Sequence, residues 1–285
     1  MLKYFLIAFL SIGLFGEETP SLKDVPSEGT LSDRRLLSIV KRQESLMERV
    51  ARTADDDSNV SADVEQQVQA LAQDWQRFVT DHPKDLEGRI FYGKFLRTFG
   101  QYEAAVEQYL EADRIDDSVH VVKQQIGNYM VEHGLYAEAL PWFLQAVALA
   151  PEEPRYHFQT GELLFRFRDF FIDDKAFTRE AIDTDMQRAF AEAARLSPEI
   201  LGLHLRYGES FYDVKSPDWA KALEAFQTCQ SLATTDNDQQ AILLHLARVQ
   251  VELTAFEEAQ KLLAQIHLPA LEDAKLKVQS LMDTE

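Results

Sequence analysis

The residues able to carry chemistry are few and dispersed. Seven histidines, His82, His120, His133, His157, His204, His245 and His267, are scattered along the chain, and none stands in an HExxH-like arrangement that would set two metal ligands on one helix face. Cys229 is the only cysteine, so an intramolecular disulfide, a cysteine-rich zinc site and a thioredoxin-like pair are all excluded. It sits in an apolar helical run with Ala225, Phe226 and Leu232, the setting of a small core residue. Asp55, Asp57, Asn59 and Asp63 fall where a calcium loop places ligands one, three, five and nine. That pattern fails where it matters, with Val60 at the sharp turn that needs glycine and Gln66 where a bidentate glutamate is required. Adjacent carboxylates such as Asp173 and Asp174 are what a strongly acidic chain produces without design. There is no Ser/His/Asp spacing and no glycine-rich phosphate loop, so no catalytic constellation, metal or cofactor is expected.

The elements that would position any site are helical. Among 285 residues, 11 glycines and 9 prolines make about 7% of the chain where roughly 12% is usual, which favours long helices over turn-dense sandwiches. Forty-eight Asp and Glu oppose 29 Lys and Arg, giving a net charge of −19. A chain this acidic is a poor partner for nucleic acid, whose phosphates need Lys and Arg to displace counterions, and for anionic lipid surfaces. At 46% hydrophobic residues and a mean hydropathy of −0.28 it has the composition of a folded globular protein.

The chain opens with Lys3 and an uncharged run from Tyr4 to Gly16. Thirteen helical residues rise only about 20 Å, short of a bilayer, so residues 1–16 read as an export signal, with the cut after Gly13 or Gly16. The expected location is periplasmic or secreted. The alternative is a membrane anchor over residues 4–16. Residues 17–30 carry Pro, Ser and Glu without apolar period and read as a flexible linker. From Leu31 to Arg52 a helix is expected, N-capped by Ser32, with Leu36, Val40, Gln43, Met47 and Val50 spaced four and three apart. Its stripe fits either a short oligomerising coiled coil or a helix packed on the rest of the protein. Arg34, Arg35, Lys41, Arg42, Arg49 and Arg52 make this segment basic in an acidic chain.

Self-similarity organises the remainder. Gly93, Gly100, Tyr102, Ala105, Tyr109 and Ala112 recur as Gly127, Gly134, Tyr136, Ala139, Phe143 and Ala146, a constant offset of 127 − 93 = 34 residues. A third copy holds Pro154, Gly161, Leu164, Phe190, Ala193, Leu196 and Pro198, with about thirteen extra residues between its helices. A fourth holds Gly208, Phe211, Trp219, Ala222, Phe226, Cys229 and Leu232, and a degenerate fifth keeps Ala247, Phe256, Ala259 and Leu263. Trp75 and Phe78 match the second helix of an incomplete leading copy. Small residues in one helix and aromatics in its partner let two helices approach closely, and each pair leaves an apolar face for the next to cover. His157 and His204 occupy the same position of their copies, an arrangement that reads as inter-helix packing.

This pattern resembles the tetratricopeptide repeat family, with its glycine at position eight, alanines at twenty and twenty-seven, an aromatic at twenty-four and proline at thirty-two. The resemblance implies an all-α, right-handed α-solenoid of tetratricopeptide-type helix pairs with an N-terminal helix and a C-terminal capping helix. The domains are then the amphipathic helix and acidic loop over 31–61 and a solenoid over 62–285, with repeats at about 86–119, 120–153, 154–200 (insertion 168–182), 201–236 and 240–268, closed by a helix over 271–282.

In this family the first helix of each pair lines the concave surface. The contact positions map here to Lys94, Arg97, Gln124, Asn128, Arg155, Phe158, Glu162, Phe165, Arg166, Leu205, Glu209, Tyr212 and Arg248. The implied function is a non-enzymatic scaffold binding a protein or peptide in that groove, and the net charge points to a basic or amphipathic partner. Family members that clamp a C-terminal carboxylate do so through Lys, Asn and Arg; Ile90 and Gln125 stand at two of those positions and disfavour that ligand. In the insertion, Thr178 is expected to cap a helix from Arg179, leaving Asp169 to Phe177 as a loop. Its Phe170, Phe171 and Phe177 either fold back onto the repeats or meet a partner. The alternative function is an oligomeric structural or envelope-organising protein assembled through residues 31–52.

Overall fold

The computed structural model describes residues 29–53, 62–173 and 177–282. The expected export signal, the body of the linker and the aspartate run from Asp55 to Asp57 lie outside the described residues. Every regular element among the described residues is a helix. The chain divides into two compact units, with the boundary between Leu149 and Ala150.

The first unit holds three helix pairs. Helix α1 (Leu31–Thr53) starts on Thr30, whose hydroxyl accepts the Asp33 N–H at 3.3 Å while the Asp33 carboxylate accepts the Thr30 N–H at 2.7 Å. This reciprocal cap displaces Ser32 from its expected role, because the carboxylate three residues past Thr30 completes the box. Helix α2 (Ala62–Asp81) runs antiparallel to α1: Arg35 pairs with Asp81 at 2.7 Å, Arg42 with Asp74, and Arg49 with Gln67. Seven residues along one helix match seven back along the other. Between these rungs Leu36, Ile39, Val40 and Leu46 are buried with Trp75 and Phe78. Gln43, the polar residue inside the stripe, is buried and accepts the indole N–H of Trp75 at 2.9 Å. The stripe of α1 is thus covered by α2, and α1 completes the leading pair that the sequence showed only by half.

Helices α3 (Leu86–Thr98) and α4 (Tyr102–Ile115) form the second pair, α5 (His120–Glu132) and α6 (Tyr136–Leu149) the third. A buried ion pair, Lys123 to Asp113 at 2.6 Å, joins α5 to α4, with the ammonium 5.1 Å from the Trp142 ring.

The second unit begins with α7 (Pro154–Arg166), where Pro154 opens the first turn and Glu153 caps it by accepting the Arg155 N–H at 3.2 Å. Where a loop was expected over 169–177, residues Arg168–Asp173 form a short helix, α8. Phe171 turns inward and is 2% exposed, while Phe170 and Phe177 stand about 40% exposed and pack edge-on against it. Burying one ring and leaning two others on it hides part of what an open loop would expose. Thr178 caps α9 (Arg179–Leu196) by accepting the Ala181 N–H. Then come α10 (Leu201–Ser210) with a 3-10 turn at Phe211–Asp213, α11 (Trp219–Leu232), α12 (Asp236–Glu252) and α13 (Phe256–Leu263). A 3-10 turn at Pro269–Leu271 leads into α14 (Glu272–Met282), so the closing helix begins one residue later than expected. Gln240, 2% exposed, fixes this end: its Oε1 accepts from the N–H groups of His267 (2.9 Å) and Leu268 (2.7 Å).

One steric contact recurs in both units. A Cβ built on Gly93 would lie 2.8 Å from the Tyr109 ring, on Gly161 2.7 Å from Phe190, and on Gly208 2.8 Å from Phe226; on Gly127 it would stand 3.2 Å from Phe143. In the last pair, α12 and α13, Ala247 and Leu263, both buried in one cluster, take the two places. The inter-helix turns are equally regular. Gly100 and Gly134 hold φ of 74° and 76°, and the residue after each donates back to a carbonyl five residues earlier, Gln101 to Leu96 (2.9 Å) and Leu135 to Met130 (2.8 Å). At the third such turn Thr254 adopts φ 59° while Ala255 donates to Gln250 at 2.8 Å. The turn is kept although a β-branched residue there is strained.

Two outcomes follow for stability. Gly161→Ala forces a methyl into a ring that is 1% exposed and cannot give way, and is expected to cost about 1–2 kcal/mol after the helix-propensity gain, whereas Gly127→Ala is near neutral. Thr254→Gly relieves about 1–2 kcal/mol of left-handed strain against a smaller loss through the unfolded chain, and is expected to raise stability by about 0.5–1 kcal/mol. Urea melts of the three variants measure both.

Candidate functional site

The first helices of the three pairs in the second unit, α7, α10 and α12, turn one face each toward a shared cleft of roughly 460 Å³. That volume lies in the range of ligand sites. From α7 come Phe158, Glu162, Phe165 and Arg166, and from α10 Gly202, Leu205, Arg206 and Glu209. The 3-10 turn adds Tyr212 and Asp213, and α12 adds His245 and Arg248. The spacing within each helix, three or four residues, is that of a single face.

Two cation–aromatic stacks build the walls. The Arg206 guanidinium lies 4.0 Å from the Phe165 ring and 4.4 Å from the Phe190 ring, and its Nε donates to Glu162 at 2.6 Å. Glu162 is shared, because its other oxygen accepts from Arg166 at 2.7 Å. On the opposite side the Arg248 guanidinium lies 3.9 Å over the Tyr212 ring. That ring also stacks near Phe226 (5.9 Å) and His245 (5.9 Å), and its hydroxyl stands 3.2 Å from His245 Nδ1. The inserted segment reaches this wall. Arg168 and Arg179 both donate to the Asp213 carbonyl, at 3.1 and 3.0 Å, and Arg168 is held by Asp183 at 2.9 Å.

The titratable groups are set by burial. Desolvation lowers His245 to about 4, helped by the Arg248 charge, so its imidazole is neutral near pH 7. Burial also raises Glu209, with Arg206 opposing and Asp213 and Glu162 assisting, and burial raises the Tyr212 phenol. Cys229 is buried and its thiol is pushed up to about 12, which keeps it out of nucleophilic chemistry. Among the described residues no three His, Cys, Asp or Glu side chains gather as a metal site requires. The arrangement offers aromatic and aliphatic area with placed charges.

The residues marked from sequence fall into three groups. Phe158, Glu162, Phe165, Arg166, Leu205, Glu209, Tyr212 and Arg248 line this cleft together. Phe158 is 3% exposed and tilts against Phe190 at 5.9 Å, so it serves as the cleft's floor rather than as an open contact. Arg155 lies half-buried on α7 and does not line the cleft. Lys94, Arg97, Gln124 and Asn128 belong to the first unit. There Arg97 forks onto Glu132 at 3.0 and 2.5 Å, Lys94 and Asn128 are half-buried, and Gln124 is buried, contrary to its expected place in an open groove. Gln124 turns inward and accepts from Gln125 at 2.9 Å. Arg206, His245, Asp213 and Gly202 also line the cleft, although the repeat positions do not mark them. His157 and His204 make one and the same bond, Nε2 to the carbonyl of a proline six residues earlier, Pro151 at 2.8 Å and Pro198 at 3.1 Å.

No protein-family model matches the sequence, and no curated protein matches it. Solved structures do match. The crystal structure of YrrB, described as a TPR protein with an unusual peptide-binding site, superposes with a TM-score of 0.54 at 16% identity, over 73% of this chain and 94% of that one. PilF of Pseudomonas aeruginosa superposes with a TM-score of 0.51 at 14% identity, over 87% of this chain and all 100% of that one. The fold is therefore the tetratricopeptide-repeat fold, an all-α solenoid of helix pairs, as the repeat pattern implies.

The depressed His245 has a measurable consequence. The folded imidazole binds its proton more weakly than the unfolded chain's, so the stability that depends on it is intact above the ordinary value of 6.5 and is lost as pH falls toward about 4. His245→Phe is expected to lose less stability than the parent between about pH 7 and about pH 4.5, read from urea melts at the two values.

Proposed function

We propose that this chain is a non-enzymatic scaffold that binds a basic or amphipathic peptide or protein segment in the cleft between α7, α10 and α12. The observation that carries this reading is the convergence of eight sequence-marked residues on one cleft. Its composition supports the same view: Phe158, Phe165, Leu205 and Tyr212 supply area at low entropic cost, while Glu162, Glu209 and Arg248 supply orientation. The net charge of −19 on the whole chain favours a partner that is not strongly acidic, and long-range attraction of this kind weakens as salt rises. YrrB is described as having a peptide-binding site, and the shared fold makes the same mode of binding available here.

The same proposal puts the scaffold outside the cytoplasm, on the strength of Lys3 and the uncharged run over residues 4–16. Among the described residues no helix is long and apolar enough to cross a membrane. Assembly through the 31–52 helix receives less support, since its apolar stripe is covered by α2.

Phe165→Ala combined with Leu205→Ala removes half-buried wall without touching the floor. Affinity capture from envelope extracts is expected to lose its partner with this variant while the melting temperature stays within a few degrees, about what 1 kcal/mol produces in a chain of this size. Capture unchanged by the double substitution sinks the cleft assignment.

A further inference from the structure

The charges of the cleft are unequally spent. Of its three arginines, Arg166 and Arg206 share Glu162. Arg248 meets no carboxylate among the described residues; Glu252, one turn further along α12, makes no ion pair with it. Its guanidinium carbon lies 3.9 Å over the centre of the Tyr212 ring, whose hydroxyl stands 3.2 Å from His245 Nδ1 and which stacks near Phe226. A guanidinium stacked on a fixed ring has its plane set and its N–H edges directed sideways, the geometry in which it grips a carboxylate with two parallel bonds. The buried Nε of Arg248 also has no hydrogen-bond acceptor among the described residues.

We propose that the segment bound in this cleft carries one acidic side chain, received by Arg248 over Tyr212, within an otherwise apolar or basic stretch. This rests on the cleft reading above and adds to it the chemistry of the contact. A polyacidic segment is excluded by the same cleft, because Glu209 and Asp213 face it and their carboxylates form no close pair with an arginine or lysine among the described residues. Glu209 near the end of α10 and Asp213 in the 3-10 turn that follows it favour a basic residue beside the acid. Selectivity then comes from placement: an acid on one wall, a base or an apolar residue on the other, each repelled if exchanged.

The test is selection of a random peptide library, displayed with its C-termini fused, on the full chain and on Arg248→Gln, Arg248→Lys and Phe165→Ala/Leu205→Ala variants. Peptides enriched on the parent are expected to carry a single Asp or Glu beside apolar or basic residues. A synthetic, amidated member is expected to lose at least about tenfold in affinity with Arg248→Gln and to recover part of it with Arg248→Lys, which keeps the charge but not the fork. Peptides without an acid, or an affinity indifferent to Arg248→Gln, overturn the proposal and leave the cleft reading standing. Absence of binders from this library, with a free-acid peptide bound and its amidated form not, overturns the side-chain assignment. Enrichment that is equal on the Phe165→Ala/Leu205→Ala variant removes the cleft and the proposal together. Thermal melts of the Arg248 variants distinguish lost contact from lost fold, and Arg248→Lys keeps the comparison informative if Arg248→Gln melts early.

Discussion

The contact between a glycine in the first helix of a pair and an aromatic ring in the second is what the rest of the structure depends on. With ring atoms 2.7 to 3.2 Å from where a Cβ would stand, the two backbones approach as closely as a flat side chain allows. That approach fixes the spacing of each pair, and spacing decides which face of the first helix remains for the next pair or for a ligand. The alanines at the neighbouring positions, Ala112, Ala146 and Ala193, are fully buried and extend the same close seam. A side chain much larger than alanine at these places would force the two helices apart or turn one of them. In the second unit, where Gly161 and Gly208 set α7 and α10, such a rotation would carry Phe165 or Leu205 away from the cleft.

The periodic part of this architecture was legible because the steric demand recurs at fixed spacing and leaves the same residue types behind. What was not legible depends on contacts between residues far apart in sequence. Arg206 is an ordinary charged residue by position; only the meeting of α7, α9 and α10 puts it between two rings. His245 was grouped with six dispersed histidines, and its depressed affinity for protons arises from burial beside Phe226, which no spacing announces. Gln124 fits the pattern of a groove residue but turns inward, and Thr254 holds a turn whose other examples are glycine. The α1 helix carried a stripe compatible with two kinds of partner. The seven-residue rungs to α2, with Gln43 satisfied by Trp75, show which partner takes it in this chain.

Charge is distributed by use. Three of the basic residues of α1, Arg35, Arg42 and Arg49, are turned to rungs against α2, and Lys123 is buried against Asp113, so part of the scarce positive charge is already paired within the chain. Exposed rungs of this kind add less than about 1 kcal/mol each, and their effect is on register more than on stability. In the cleft the same scarcity makes a single unspent guanidinium informative. Three arginines stand there among three carboxylates, and the pairing leaves one of the former and two of the latter available.

The inserted segment between α7 and α9 is fastened to the next pair, α10 and α11, by Arg168 and Arg179, which both end on the carbonyl of Asp213. Repeat arrays are often thought of as beads that can be exchanged, shortened or duplicated one at a time. Here the bead boundary is crossed. The carbonyl that the two arginines hold belongs to the residue after Tyr212, so the wall of the cleft is built by one repeat and kept in place by its predecessor. Trimming residues 168–182 to restore the regular length would yield a tidier array with its recognition surface unmoored, and grafting the pair of α10 and α11 elsewhere would transplant the ring without its fastening. The irregular stretch therefore ties two neighbouring pairs into one recognition surface.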